Sequence, residues 1–477
     1  MRAQSIFVAP LLALLACTSA SSGNVAATTP APTVSSSAGP ASHATPTNPS
    51  GSSTRSAAAT TGYADWPTYH GGNNRAGRAL SMPKVSGTLR IARRLTLDGA
   101  VYASPIVVRG ITVVATENNT VYAFNSRYVQ IWKRHLGAPS PQSQRPCGNI
   151  DPLGITGTPV YDSAQNSVYV APEYSGSPPR HELVSLNFAT GAVKWHKSID
   201  FAGVDRGAMQ QRGALIAVGT RIWVPFGGLA GDCGQYKGRV VGLLRTDGTA
   251  PRIFTVPTTR EAGIWTPPGP TADVAGNIFV SVGNGESGVG DPYDYSDSVL
   301  RLGTDGKRHD SFSPTTWASD NAVDLDLGSQ GPAIVGPWIF IAGKSGTAYV
   351  LRRSHLGGIG GQVSSRKNLC AGSYGGTAAN GYIVYVPCKD GVRAIRIDSV
   401  GTMHLLWRVS AAGSPVVGGG RIWSVDSGAG VLHAYDGTGA SRGSIAVGTT
   451  SRFATPALYG RGVYVPTLTG LTVVSWS

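Results

Sequence analysis

The sequence predicts an all-β fold built from many short strands. Of 477 residues, 64 are Gly and 31 are Pro, well above the average usage of about 12% for the two together. Charged residues make up only 14% of the chain and hydrophobic residues 41%. Many turn formers and few charges are typical of short strands joined by tight turns. They exclude a coiled coil, a helical bundle and a charge-rich disordered protein.

A repeating unit organises the chain after residue 62. Each unit begins with a small residue, usually followed by Pro, and continues as a short apolar strand, a Gly turn and a second apolar strand. Eight units start at Ser104, Thr158, Gly213, Gly269, Gly331, Thr377, Ser414 and Thr455. Repeats of roughly 40 to 60 residues containing four short strands predict a β-propeller of eight four-stranded blades. Each blade has a face that it cannot cover alone, and stacking in a ring buries it.

The two ends of the repeat region are predicted to close the ring. The last unit reaches Ser477 after about three strands. We expect residues near Thr88–Leu97 to supply its missing outer strand, so that N- and C-terminal strands share one blade. This closure removes the free junction between the first and last blades.

The N-terminus carries the features of an export signal. Arg2 precedes an apolar run at residues 6–16, and Cys17 follows directly. The ending Leu14-Leu15-Ala16-Cys17 resembles the bacterial lipobox, in which the Cys is acylated and becomes the new N-terminus. We therefore predict a lipoprotein signal peptide at residues 1–16. An ordinary signal peptide with an incidental Cys is the alternative.

Residues 17–62 are predicted to form a disordered tether between the acylated Cys17 and the propeller at 63–477. The segment consists almost entirely of Ser, Ala, Thr, Pro, Gly and Asn. Such a composition buries too little apolar surface to offset the entropy lost on ordering. The expected location is the outer face of the bacterial cytoplasmic membrane or the periplasmic face of the envelope, with the protein a monomer anchored by lipid.

Four further cysteines fit an exported protein with two disulfides. Cys147, Cys233, Cys370 and Cys388 form no C-x-x-C pair, so a structural zinc site has no support. Four cysteines allow three pairings. We predict Cys147–Cys233 and Cys370–Cys388, because these keep each bridge within one blade or between neighbouring blades.

The net charge of +14 does not indicate a nucleic-acid-binding protein. The 40 Lys and Arg residues are scattered, and the densest cluster is Arg90, Arg93 and Arg94. A nucleic-acid-binding domain would concentrate them in a stripe. Loose attraction to an anionic envelope or lipid surface is the simpler interpretation.

The segment Leu186-Asn187-Phe188-Ala189-Thr190-Gly191-Ala192-Val193-Lys194-Trp195 resembles the tryptophan-docking motif of pyrroloquinoline quinone (PQQ) repeat propellers. Asn187 stands where the motif usually has Asp. Degenerate copies place Trp132 and Trp407 in the same role, and Asp65–Gly77 resembles the opening segment of such propellers. The resemblance covers residues 63–477 and is specific for fold, whereas members differ widely in function.

The quinoprotein alcohol dehydrogenases of this fold hold PQQ and Ca²⁺ on the propeller axis, and the resemblance implies candidates for each role. Trp265 resembles the aromatic residue that stacks on the quinone, and Lys344 the cation that contacts it. Asn284 resembles a Ca²⁺ ligand, and Asp324 lies near the position of the catalytic Asp and of a further ligand. A planar trianion needs an aromatic surface and cationic donors, and Ca²⁺ needs several oxygens.

The departures from the dehydrogenases are equally clear. No adjacent Cys pair exists to form their disulfide over the quinone, and Cys233 beside Asp232 stands where an acidic Ca²⁺ ligand is expected. On this alternative, Trp265 packs between blades and Asn284 and Lys344 are turn residues. The loop Glu286–Asp297 holds four carboxylates that would suit Ca²⁺, but it lacks EF-hand spacing, so we favour a solvated loop over a Ca²⁺ site.

The sequence therefore predicts a cell-envelope lipoprotein whose propeller acts as a binding or scaffold module for an envelope protein or a small ligand in the axial funnel. The alternative is a PQQ- and Ca²⁺-dependent dehydrogenase of an alcohol or sugar, using Trp265, Asn284, Asp324 and Lys344. A third hypothesis is a binding module stabilised by Ca²⁺. Convergence of these four side chains in one pocket would favour the enzyme.

Overall fold

The chain folds into eight β-sheets arranged as the blades of a propeller, in a computed structural model that describes residues 62–477. The predicted signal peptide, Cys17 and the tether up to Thr61 lie outside the described residues. Strands are numbered 1 to 4 within each blade, from the innermost strand outward. The prediction of an eight-bladed propeller with four-stranded blades is confirmed.

The strands of blades 1 to 4 alternate antiparallel along the chain. They are Ile106–Val108, Ile111–Ala115, Thr120–Phe124 and Gln130–His135 in blade 1; Val160–Asp162, Ser167–Val170, Arg180–Asn187 and Val193–Ser198 in blade 2; Ile216–Val218, Arg221–Gly228, Arg239–Leu244 and Arg252–Thr255 in blade 3; and Thr271–Ala272, Ile278–Val282, Ser298–Leu302 and Arg308–Ser313 in blade 4.

Blades 5 to 8 repeat the pattern. Their strands are Ala333–Val335, Trp338–Ala342, Ala348–Arg352 and Ser364–Arg366 in blade 5; Ala378–Asn380, Ile383–Cys388, Gly391–Ile397 and Met403–Val409 in blade 6; Val416–Gly418, Arg421–Asp426, Val431–Tyr435 and Ser441–Ala446 in blade 7; and Ala457–Tyr459, Gly462–Thr467, Gly470–Trp476 and Leu89–Thr96 in blade 8.

Four short strands and five short helices complete the described residues. The additional strands are Arg78–Ala79, Glu173–Tyr174, Met209–Gln210 and Gly358–Ile359; the helices are the α-helix Trp317–Asn321 and the 3₁₀ turns Tyr69–Gly71, Gln142–Gln144, Arg206–Ala208 and Leu327–Ser329. No helix in residues 62–477 has the length and apolar character needed to cross a bilayer.

The ring closes through blade 8, as predicted. Leu89–Thr96 pairs antiparallel with Gly470–Trp476, with Leu89 opposite Trp476 and Thr96 opposite Gly470. The fourth strand of this blade therefore precedes blade 1 in the chain, and its other three strands follow blade 7. Unfolding either end exposes the interfaces of blade 8 with both of its neighbours.

The hydrophobic core lies between the blades. One buried cluster joins Val121 of blade 1 to Val168 and Leu186 of blade 2. Equivalent clusters join each later pair of neighbours around the ring. Burial of these faces supplies most of the driving force for folding, since apolar burial contributes about 25 cal/mol per Å².

Tryptophans of the outer strands dock on the next blade. Trp132 covers Gly191 of blade 2 and donates its indole N–H to the Phe188 carbonyl at 3.0 Å. The ring of Trp195 likewise packs against Gly248 of blade 3. Gly191 has φ of 67°, and a Cβ there would lie 2.5 Å from the ring of Trp132. The motif therefore requires Gly for both its backbone angle and its contact.

Trp407 repeats this arrangement between blades 6 and 7, where it covers Gly439 and donates to the Gly437 carbonyl at 2.9 Å. The docking role predicted for the three tryptophans is thereby confirmed.

Both predicted disulfides are present. Cys147, in the loop between blades 1 and 2, is bonded to Cys233 of blade 3, with their Cα atoms 6.2 Å apart. Cys370 is bonded to Cys388 of blade 6, with Cα atoms 5.8 Å apart. The first bridge ties together two loops of different blades.

Residues 66–79, here called the axial segment, fill the centre of the ring. The segment hydrogen-bonds seven of the eight blades at or next to their innermost strands: Trp66 pairs with Val107, Pro67 with Tyr161, Asn73 with Ala217 and Ala272, Ala76 with Ala379, Gly77 with Val417, and Tyr69 with Thr455. Innermost strands present an unpaired edge to the axis, and buried backbone groups need partners. The axial segment satisfies these edges and closes the channel at this level.

Arg75 is the buried centre of the axial segment. Its guanidinium is 2% exposed and donates four hydrogen bonds of 2.9 to 3.1 Å, to the carbonyls of Pro270, Tyr69 and Leu215 and to the hydroxyl of Thr68. Burial lowers the pKa of Arg75 to about 9, so the side chain remains a cation at neutral pH. One side chain thus links the segment to blades 3 and 4.

Replacing Arg75 tests whether these bonds hold the ring together. We expect Arg75→Met to lower the free energy of unfolding by about 3 kcal/mol, because it leaves buried acceptors without donors. Arg78→Met is the matched control, since Arg78 is an exposed arginine of the same segment that bonds Asn380. Urea unfolding followed by tryptophan fluorescence measures both. Equal losses in the two variants would contradict the role given to Arg75.

Candidate functional site

A pocket opens on the propeller axis at one end of the ring. In an antiparallel blade, the loop that enters strand 1 and the loop between strands 2 and 3 lie at the same end, here called the pocket face. The other turns form the opposite end, here called the turn face. The pocket volume is about 410 Å³, and its lining includes Tyr102, Arg212, Asp232, Tyr236, Trp265, Asn284, Lys344, Arg452 and Phe453. All of these belong to loops of the pocket face.

Trp265 and Phe453 provide the aromatic surface of the pocket. Their ring centroids are 6.2 Å apart and the rings meet edge to face, at 69°. The Lys344 Nζ lies 5.6 Å from the Trp265 centroid. Trp265 is half-buried and reaches the pocket because Gly227 and Gly283 leave room beside it. An aromatic face with a nearby ammonium suits a planar, anionic ligand.

Lys344 is held by two aspartates. Its ammonium contacts the buried Asp326 at 2.8 Å and also the exposed Asp324. Burial alone would lower the pKa of Lys344, but the attraction of Asp326 and Asp324 raises it. The lysine is therefore charged, and part of that charge is already neutralised by its partners.

Asp324 lies beside the pocket and does not contribute to its lining. Its side chain is 61% exposed, with φ of 55°. The structure places Trp265, Asn284 and Lys344 together in the lining, and it connects Asp324 to them only through Lys344. The buried carboxylate that holds Lys344 is Asp326, and the sequence analysis did not single it out.

Asn284 and its neighbours form a hydrogen-bonded wall. The Asn284 amide donates to Glu261 at 3.2 Å. Burial raises the pKa of the Glu261 carboxyl, with Arg260 opposing the shift. Nearby, the Tyr236 hydroxyl donates to Asp232 at 2.5 Å. Asn284, Tyr236 and Asp232 line one side of the pocket, and their polar groups are largely occupied by these hydrogen bonds.

Two arginines of the pocket were not found from the sequence. Arg212 lies 4.7 Å over the ring of Phe453, and Arg452 lies 5.5 Å over the same ring and 4.4 Å over Tyr374. Within residues 62–477, neither guanidinium has a hydrogen bond or an ion pair. Burial lowers the pKa of Arg212 to about 10, and the attraction of Glu117 opposes the shift. Arg212 therefore stays cationic at neutral pH, and the donors of both guanidiniums are available to a ligand.

A positional rule would have located these arginines. Trp265 precedes the blade start Gly269 by four residues, and Arg452 precedes Thr455 by three. Arg212 directly precedes Gly213, and Tyr102 lies two residues before Ser104. Residues just before a blade start therefore face the axis, and scanning those positions for charged and aromatic side chains identifies most of the pocket.

The residues of the pocket suit the ring and charge of PQQ better than they suit Ca²⁺. Trp265, Arg212, Arg452 and Lys344 supply an aromatic surface and cations. A calcium site needs several oxygen ligands around one point. Among the described residues, the one group of three His, Cys, Asp or Glu side chains with ligand-like spacing is Cys370, Cys388 and Asp390, and its two cysteines form a disulfide. The four carboxylates of the loop Glu286–Asp297 do not form such a group either.

Comparison with known proteins agrees with this architecture. A family model described as outer membrane protein assembly factor BamB matches residues 74–211. Among solved structures, a quinohemoprotein alcohol dehydrogenase from Comamonas testosteroni superposes with a TM-score of 0.66 and 17% identity, over 88% of this chain and 81% of its own. The chain has the fold of the PQQ-repeat-like β-propellers. The resemblance inferred from its docking motif is confirmed.

Two further solved structures share this fold. A europium-containing methanol dehydrogenase superposes with a TM-score of 0.67 and 15% identity, over 86% of this chain and 98% of its own. BamB from Moraxella catarrhalis superposes with a TM-score of 0.56 and 15% identity, over 82% and 100%. No curated protein matches the chain in sequence. Dehydrogenases and an assembly factor thus share the fold, so the fold alone does not assign a function.

Proposed function

We propose that this chain is an envelope binding protein whose axial pocket takes a small anionic ligand with a planar, aromatic part. The observation that carries the proposal is the pair Arg212 and Arg452. Within residues 62–477 the two guanidiniums have no hydrogen-bond acceptor, and they flank Phe453 in a pocket that also presents Trp265. Guanidinium groups bind carboxylate and phosphate through paired, charge-assisted hydrogen bonds.

The electrostatics of the axis favour an anion at this place. The buried cation Arg75 lies in the axial segment that closes the channel. Tyr69 of that segment, Arg212 and Phe453 line one small cavity, which places the segment next to the pocket. Charges in a partly desolvated pocket interact more strongly than charges in water. The ligand's anionic group is therefore expected between Arg212 and Arg452, with its ring against Trp265 or Phe453.

Isothermal titration with PQQ and with phthalate, a simple aromatic dicarboxylate, tests the proposal. We expect binding to the wild-type protein and at least an approximately tenfold weaker affinity in Arg212→Gln and in Arg452→Gln, because each loses a charge-assisted pair. Arg408→Gln is the matched control, as Arg408 is exposed on the outer strand of blade 6. The proposal is wrong if neither probe binds, or if the control weakens binding as much as the pocket variants do.

A quinone-dependent dehydrogenase is a second candidate, and one observation favours it. Trp265 and Lys344 meet in the pocket, as the resemblance to the dehydrogenases implied. Bound PQQ would supply a two-electron oxidant for an alcohol or sugar. The residues of this chain would contribute the stacking surface and the cations, whereas the described carboxylates do not assemble a Ca²⁺ site. Asp324, the proposed base, is engaged by Lys344.

Reconstitution separates the two candidates. The protein is incubated with PQQ and Ca²⁺ and assayed by dye reduction with short alcohols and aldoses, with Trp265→Ala as the matched variant. As a simple binding protein, we expect it to bind PQQ without reducing dye. Turnover that disappears in Trp265→Ala would establish the dehydrogenase and overturn the binding-only assignment.

The match to the BamB family model supports a protein partner as well. We propose that the body is a monomer held at the envelope surface by a lipid on Cys17, with its loops available to an envelope protein. The composition of residues 1–17 carries this part of the proposal, and the residues concerned lie outside those that the structure describes.

Lipidation is tested by metabolic labelling in a bacterial host. We expect radioactive palmitate to label the full-length chain and the membrane fraction to contain it. Cys17→Ser should remove the label, because no other cysteine precedes the propeller. Retained label in Cys17→Ser, or an unlabelled wild-type chain, would refute acylation at this residue.

A further inference from the structure

The turn face carries a cluster of basic side chains where blades 7, 8 and 1 meet. Lys84, Arg90, Arg127 and Arg461 are exposed there, together with Tyr63 and Leu80; these six residues are called the seam patch. Lys84 precedes Val85, whose N–H donates to Gly419 in the first turn of blade 7. Arg461 lies in the equivalent turn of blade 8, and Arg127 in the outer turn of blade 1.

The four basic residues of the seam patch are free of ion pairs. Within the described part of the chain, no carboxylate lies within salt-bridge distance of any of them. The nearby acid Asp65, just before the axial segment, accepts a hydrogen bond from the Arg109 backbone N–H at 2.7 Å. Carboxylates that form ion pairs lie elsewhere in the described residues, for example Asp326, which contacts Lys344 of the axial pocket. The patch is therefore a local concentration of positive charge.

The chain also enters the propeller at this patch. Gly62, the first described residue, is exposed, and Tyr63 packs edge to face on Tyr459 of blade 8 with ring centroids 5.8 Å apart. Tyr63 also approaches Gly460, next to Arg461. The described chain therefore begins on the turn face, opposite the mouth of the axial pocket.

We propose that the seam patch docks on anionic phospholipid headgroups and turns the axial pocket away from the bilayer. Each Lys or Arg near an anionic membrane adds to the attraction, and several are needed for a measurable effect. Leu80 is 74% exposed and Tyr63 36% exposed, and such side chains suit the headgroup boundary. This inference rests on the proposed surface location and does not depend on what the pocket binds.

Vesicle flotation of the full-length chain tests the docking. Binding is compared between vesicles of phosphatidylcholine alone and vesicles containing one quarter phosphatidylglycerol, at low and at high NaCl. The apolar N-terminal run contributes equally to both lipids, so the difference between them measures the electrostatic part. We expect this difference in the wild type to disappear at high salt, since screening shortens the range of exposed charges to a few ångströms.

The variant Arg90→Glu/Arg127→Glu/Arg461→Glu should lower the phosphatidylglycerol-dependent partition coefficient at least about tenfold. The control Lys367→Glu/Arg396→Glu/Arg408→Glu changes the net charge equally at exposed sites on blades 5 and 6, and it should retain most of the binding. Both variants are checked by thermal unfolding. If the seam variant unfolds, the Gln versions of the same residues replace it.

Two results would overturn the proposal. Equal weakening of binding by the seam variant and by the control would assign the effect to net charge. Binding of the seam variant at the wild-type level would leave the patch to a protein or polymer partner. Because titration of the pocket with phthalate uses no lipid, a failed vesicle test and a failed pocket assignment remain distinguishable. Normal phthalate binding by the seam variant is expected.

Discussion

The pairing of the axial segment with the innermost strands is the interaction on which the rest of the structure depends. A propeller leaves the inner edge of each blade facing its axis, and those backbone groups need partners when they are buried. Residues 66–79 supply them for seven blades, and Arg75 adds four bonds at the centre. The same segment closes the channel. It therefore turns a passage through the ring into a pocket open at one end.

The closed channel gives the pocket its chemistry. Side chains that precede the blade starts converge on the axis above the segment, and those present here are mainly aromatic or cationic. Lys344 is held by Asp326, whereas Arg212 and Arg452 keep their donors free. This arrangement favours the binding of an anion, because cationic donors line the pocket. It does not favour a hard cation, because the described carboxylates are spread over several loops. Dehydrogenases and BamB share the fold, so the fold alone does not decide what the pocket binds.

Much of the fold was predictable because it follows from local patterns repeated eight times. The blade starts, the docking tryptophans, both disulfides and the contribution of residues 89–96 to the last blade all agree with the structure. The site was predictable in part. Trp265, Asn284 and Lys344 line the pocket, but Asp324 lies beside it and the arginines were missed. Arg212 and Arg452 are 240 residues apart, and the only local signal for either one is its position just before a blade start.

The eight-fold repetition can be read from the amino-acid sequence alone, since a hydrophobic pattern and turn residues act over only a few neighbouring positions. The sequence also identifies positions that must be Gly because a tryptophan ring packs against them, as Trp132 packs against Gly191. Which loop residues meet on the axis follows from the tertiary structure, because the number of blades in the ring sets which loops converge there. Phe453 lies between arginines from blades 3 and 8 for this reason. The pocket and the seam patch lie at opposite ends of the ring for the same reason, because ring closure places every loop at one end or the other.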